Sequence, residues 1–355
     1  MLDLSAAAAR LFTVGFAGKT LDSDLEGLLA RGVGGVVIFS RNVGTPGELF
    51  ELTRSIKRRA ERPLLVAVDQ EGGSVARLRQ GFTRLPPLRT LGAHGDATLA
   101  RELGAVVGAE LAAVGIDWDF APVLDVDTNP NNPVIGARSL GADPARVAEL
   151  GVAFARGLED AGIAPCAKHF PGHGDTHRDS HLELPRLPHE LERLERVELA
   201  PFRAASAARV PSMMVAHVVF EALDAERPAS MSHAVVGGLL RERLGYAGVV
   251  VTDDLEMKAI ADHFALEEVV ERGLDAGVDV FLVCHTAALA HRGIDAVVRA
   301  VQTGRVSAEK LQRAVERVEG FAARFARPPL ATADLTSLDG DRHRAVVARL
   351  VGAQP

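Results

Sequence analysis

The chain carries the stretch KHFPGHGDTHRDSH from Lys168 to His181, with histidines at 169, 173, 177 and 181 and acids at Asp175 and Asp179. Histidines four residues apart would share one face of a helix, where they could ligate a metal. Pro171, Gly172 and Gly174 lie among them, and a proline inside a helix costs about 3 kcal/mol, so the segment is predicted to be a mobile loop leaving a strand. A zinc or iron site built from these histidines with Asp175 or Asp179 is the rival reading. The other chemistry on offer is proton transfer. In DSH, Asp179 and His181 stand two apart, which on an extended chain puts both side chains on one side. The carboxylate would orient the imidazole and raise its pKa from about 6.5, making it a proton donor at neutral pH. Such a dyad needs a nucleophile or an activated water as partner, and VVVTDDLEM supplies a carboxylate, Asp253, at the end of a β-branched run. The plainer role for Asp253 is to cap a helix opening near Leu255, a task that Asp254 fits better by position.

The elements that must hold these residues alternate between short β-branched runs and longer amphipathic segments, the pattern of repeated βα units. Eight runs read as strands: FTVGFAG from Phe12, GGVVIFS from Gly34, PLLVAVD from Pro63, DWDFAP from Asp117, APCAKHF from Ala164, SMMVAHV from Ser212, GVVVTDD from Gly248 and DVFLVCH from Asp279. Helices are expected over 143–161, 189–208 and 256–274. Eight units predict an α/β fold, a single (β/α)8 TIM-like barrel, over an open sheet. Asp69, Lys168, His169, His217, Asp253, Asp254 and His285 then all fall at the C-terminal ends of strands, the face on which such barrels build their sites. Any one of them could be a cap or a satisfied loop residue; seven such residues at strand ends together point to chemistry. No linker divides the chain, so residues 1–330 are read as the barrel and 331–355 as an extension whose short helix, near 341–351, packs on it.

Composition narrows the classes. With 355 residues, 47% apolar and 25% charged, the chain has enough material for a large core. Forty basic against 47 acidic residues give a net charge of -7 with no long Lys/Arg run, which argues against nucleic acid as a partner. No apolar run is long enough to span a membrane, and the start does not read as a signal peptide. Cys166 and Cys284, each inside a strand-like run, are expected to be buried reduced thiols, so a cytoplasmic monomer is the simplest expectation. DVDTNPNNPVIG begins like a calcium loop but has Pro130 where a turn glycine belongs and Gly136 where a glutamate belongs, so it is read as bracing the loop of Arg138. GVGGVV at 32–37 lacks a complete dinucleotide fingerprint and no phosphate-cradling loop is present, so no cofactor is expected. Trp118, the single tryptophan, is read as core.

Together KHFPGHGDTHRDSH, VDQEGGSVARL, FAPVLDVDTNPNNPVIGARSLG and VTDDLEM resemble glycoside hydrolase family 3, in its single-domain bacterial β-N-acetylhexosaminidase branch, from about Phe12 to Val283. The resemblance implies that Asp253 is a nucleophile forming a covalent glycosyl intermediate with retention of configuration. It makes His181 the general acid/base and Asp179 its partner. It places Asp69, Arg77, Arg138, Lys168 and His169 around an N-acetylglucosamine unit, with His217 as a further candidate of the same site. The implied substrate is a small carbohydrate, a β-linked N-acetylglucosamine at the non-reducing end of a cell-wall muropeptide, cleaved in peptidoglycan recycling. The residues fit a sugar, since its hydroxyls need convergent charged donors and acceptors. Two departures stand out: Ser74 occupies a position where many relatives carry arginine, and the chain lacks the sandwich-like domain that supplies a glutamate acid/base in broader members. The rivals are a phosphorylase or another β-glycosidase of the same family, a metal-dependent barrel hydrolase, and a silent sugar-binding barrel.

Overall fold

A computed structural model describes residues 3–177 and 183–352. The eight expected runs form eight parallel strands: β1 (Phe12–Val14), β2 (Gly35–Ile38), β3 (Leu65–Val68), β4 (Trp118–Asp119), β5 (Ala164–Phe170), β6 (Ser212–Val215), β7 (Val249–Asp254) and β8 (Val280–Val283). Each pairs with its neighbour in sequence, and β1 pairs with β8 through Val14 and Val283, so the sheet closes into a barrel. All eight are buried apart from the last two residues of β7, Asp253 and Asp254, as expected of a parallel sheet wrapped by helices.

Local signals set the helices. Thr45 and Glu48 form a capping box that opens Pro46–Arg59, and Asp143 caps Pro144–Asp160 with a proline in its first turn. That last helix packs against Ala97–Ala113 at close range, since a Cβ on Gly104 would meet the Phe154 carbonyl at 2.2 Å and one on Gly157 the Arg101 carbonyl at 2.0 Å. Two predicted helices are each two pieces. Residues 189–208 divide into Leu191–Arg196 and Leu199–Ala207, because Pro201 lacks an N–H and fits only a first turn. Residues 256–274 divide into Lys258–Ala261 and Leu266–Ala276, with Ala265 extended between them.

The end of the barrel where strands begin is plugged by apolar packing and buried charge. Trp118 is core: its indole N–H reaches the Ser212 hydroxyl at 2.8 Å and its ring meets Phe120 and Phe321 edge-on. Asp117 and Asp279 stand just before β4 and β8 and do the same job. Asp117 accepts the Val66 N–H and pairs with Lys57 at 2.7 Å and Arg327 at 3.2 Å; Asp279 accepts the Val250 N–H and pairs with Arg241 at 2.5 Å and Arg317 at 2.9 Å. Each fastens a strand to outer helices. The C-terminal helix Asp341–Val351 lies against Ala97–Ala113, where buried Glu110 takes the His343 imidazole at 3.0 Å. Cys166 and Cys284 are buried and unbonded to each other. Among the described residues no helix is long and apolar enough to cross a membrane.

Removing a buried ion-pair partner strands the opposite charge. Asp279→Ala should therefore lower unfolding stability by about 3–5 kcal/mol in urea, whereas Glu319→Ala, which breaks the exposed pair with Arg62 at 3.8 Å, should cost about 1 kcal/mol or less. Equal losses would contradict this reading.

Candidate active site

At the opposite end, the strands deliver polar side chains into one cluster. Asp69 follows β3, and a two-stranded hairpin (Gln70–Gly72 with Val75–Ala76) carries the chain back to Arg77. Lys168, in β5, is 2% exposed and its ammonium lies 2.8 Å from Asp69 Oδ1 and 2.6 Å from Glu71 Oε1. Arg77 reaches Asp69 Oδ2 at 3.1 Å, and Arg138 grips Glu71 with two bonds of 2.8 Å. Burial alone would raise both carboxyls, but the cations outweigh it: Glu71 is held at about 2 by Arg138 and Lys168, and Asp69 is lowered by Lys168 and Arg77. Burial works against the Lys168 charge too, yet Asp69 and Glu71 overcome it and raise its pKa. Asp69, Glu71 and Lys168 are thus charged at neutral pH.

A second node is Asp125, fully buried beyond β4. Its Oδ2 meets His169 Nδ1 at 2.7 Å, and its Oδ1 accepts the His169 and His173 backbone N–H groups at 3.2 and 2.7 Å. This leaves His169 Nε2 as the ring atom open to a ligand. His173 is instead turned into the loop, its Nδ1 2.7 Å from the Thr176 hydroxyl, and burial pushes it down to about 4 against the pull of Asp125.

Asp253, half-buried at the end of β7, takes the Asp254 N–H on Oδ1 at 2.9 Å. Burial raises its pKa, but His169, His217, that N–H and Lys168 together bring it below the ordinary value, so it is ionised. His217, at the end of β6, is fixed between the Ser230 hydroxyl at 2.8 Å and the Asp254 carbonyl at 3.2 Å, with a pKa lowered by burial. It therefore steadies the strand end that bears Asp253. Asp254 is not a helix cap, as its position suggested: Oδ1 accepts the N–H of Cys284 at 3.1 Å, across on β8's exit, as well as that of Glu256 at 3.2 Å, and Met257 precedes the next helix. His285 stands 3.5 Å from the other oxygen of Asp254.

Asp69, Arg77, Arg138 and Lys168 are thus joined in one ion-pair cluster, while His169, His217 and Asp253 adjoin it. Glu71, which joins Arg138 to Lys168, was missed from sequence, although its spacing of two from Asp69 on an extended chain was a signal for a shared side. The segment 125–141 braces two things, where one was expected. Arg89 binds Asp127 and the Gly136 carbonyl beside Arg138, while Asn129, Asn132 and Thr128 hold Thr176, the His173 carbonyl and Asp175 of the histidine loop. Asp175 also takes His189, and among the described residues no three His, Cys, Asp or Glu side chains are placed to hold a metal. Ser74 is exposed at the hairpin tip. Asp179 and His181 lie outside the described residues. A cleft of about 680 Å³ at the strand-start end, lined by Val210, Tyr246 and Phe321, carries none of these groups.

Fold and site together describe a (β/α)8 barrel that gathers fixed charged donors and acceptors where its strands end. The chain belongs to glycosyl hydrolase family 3: residues 5–320 match that family's N terminal domain. A beta-hexosaminidase of Thiobacillus denitrificans is 45% identical over 275 residues, 76% of each chain. Among solved structures, a glycoside hydrolase family 3 beta-N-acetylglucosaminidase from Paenibacillus sp. superposes with a TM-score of 0.95 at 43% identity, covering 99% of this chain and 68% of that one. NagZ from Neisseria gonorrhoeae, solved with N-trifluoroacetyl-D-glucosamine, gives 0.79 at 33% identity over 97% of both chains.

Arg138→Lys keeps the charge beside Glu71 but loses the two-pronged grip. For a ligand held by this cluster, KM should rise by about tenfold, the equivalent of 1.4 kcal/mol, with kcat changed less. A fall in kcat at unchanged KM in steady-state assays would contradict the assignment.

Proposed function

We propose that this glycoside hydrolase is a retaining exo-β-N-acetylglucosaminidase that removes a non-reducing terminal N-acetylglucosamine from muropeptide-type saccharides in peptidoglycan recycling. The observation that carries the reading is the meeting of an ionised strand-end aspartate, Asp253, with the cluster Asp69, Glu71, Lys168, Arg138 and Arg77. In this reading the cluster and His169 bind the sugar's hydroxyls, and Asp253 attacks the anomeric carbon. His181, paired with Asp179, protonates the leaving oxygen and then deprotonates the water that releases the sugar. Retaining glycosidases normally set two carboxyl groups about 5 to 5.5 Å apart for these roles; here the motif assigns the second role to an imidazole. No metal or cofactor takes part. Residues 1–330 form the catalytic barrel, 331–355 a brace against it, and the protein works as a cytoplasmic monomer. The names of the relatives support the sugar, and the charge pattern at the strand ends supports the mechanism.

A 5-fluoro analogue of N-acetylglucosaminyl fluoride should trap the intermediate, and mass spectrometry of its peptides should find the label on Asp253. Asp253→Ala should prevent labelling and lower kcat by at least about 10³-fold. A label on Asp254, or an inverted product, would overturn the mechanism.

A further inference from the structure

Between Asp69 and Glu71 stands Gln70, whose backbone N–H donates to Asp119 Oδ1 at 2.9 Å. Asp119 is the last residue of β4, is 0% exposed, and is paired in register with Val68 of β3 and Pro165 of β5. Its Oδ2 is buried with no hydrogen-bond partner, and among the described residues no cation comes within ion-pair distance of it. The charged groups around it are Lys168, Asp69 and Glu71, with the Cys166 thiol on β5. Lys168 is already shared by the two other carboxylates. A carboxylate buried without a cation and with one oxygen unbonded is costly, so the protonated acid is the form that suits this place.

We propose that Asp119 is a positioning residue for the sugar site: as a carboxylic acid, not a carboxylate, it pins the backbone between Asp69 and Glu71 and so sets the spacing at which they share Lys168. Asp119 does not itself touch the sugar. Its ionisation would place a third negative charge against Asp69 and Glu71, on the strand beside them, and compete for the one ammonium they share. Burial pushes its pKa up to about 8, outweighing the Gln70 N–H and Lys168. A native pKa raised above the unfolded value gives a stabilising contribution that is full below the ordinary carboxylate range and is lost as pH rises through about 8. The site should therefore loosen on the alkaline side, and it should do so through binding.

The inference rests on the reading that Asp69 and Lys168 hold N-acetylglucosamine, and the test separates the two. Calorimetric titration with N-acetylglucosamine itself would give Kd between about pH 6.5 and 9.5 for the wild type and Asp119→Asn. We expect a rise of at least about fivefold in the wild type and less than about twofold in Asp119→Asn, the histidines and other acids being common to both. A flat wild-type Kd, or the same rise in both proteins, overturns the proposal. Should Asp119→Asn fail to fold, Asp119→Ser serves for the same comparison. Lys168→Ala is the control on the underlying reading: if it leaves Kd unchanged at neutral pH, the sugar-site assignment itself fails, whereas a weakened Kd there with no Asp119-dependent pH effect sinks only the role of Asp119.

Discussion

One buried ammonium governs the working end of this barrel. Lys168 is almost wholly withdrawn from water, and an ion of its size is stable there only if carboxylates stand within contact distance. Asp69 and Glu71 meet that requirement from the exit of β3 and its hairpin, and Glu71 in turn requires Arg138 from the segment beyond β4. Three separate parts of the chain are thus bound to one another by charge before any ligand arrives. Because the surroundings are of low dielectric, these pairs are strong when complete and severe when broken.

The nucleophile candidate inherits its state from the same arrangement. Burial favours a neutral Asp253, and the combined pull of His169, His217, the Asp254 N–H and the Lys168 ammonium reverses that preference. His169 is itself fixed by Asp125, which also gathers in the backbone of His173 and so ties the root of the histidine loop to the barrel wall. Ion pairs join Asp69, Glu71, Lys168, Arg77 and Arg138 into one cluster, and an imidazole with its carboxylate, His169 with Asp125, stands beside it. The strand-start end carries a parallel lesson in Asp117 and Asp279, where buried pairs serve stability and touch no site.

The strands were legible because a parallel sheet covered on both faces must be built from short apolar runs, and five of the eight runs here end at a polar exit bearing Asp69, Lys168 and His169, His217, Asp253 and Asp254, or His285. Lys168, Asp69 and Asp253 could be picked out by type and place. What sequence hid was what depends on partners far along the chain. Asp254 looked like a cap because the Cys284 N–H that claims it is 30 positions away. Glu71 hid behind Asp69 in a motif read as a unit, and Asp119 was simply part of a strand. Pro201, in the first turn after one break, and Ala265, at the other, were local signals overruled by a helical pattern that ran on either side of them. The Asp179 and His181 dyad rests on its motif alone, since both residues lie outside the described part of the structure.

In the proposed sugar site, Glu71 and Lys168 act as one unit in holding the ligand. A double-mutant cycle with Glu71→Gln and Lys168→Met, read as the Kd for N-acetylglucosamine, tests it most directly. The two losses should fail to add, with a coupling of about 1 kcal/mol or more. Losses that add to within about 0.3 kcal/mol would mean that Glu71 and Lys168 bind independently, contradicting a shared ion-pair site for the sugar.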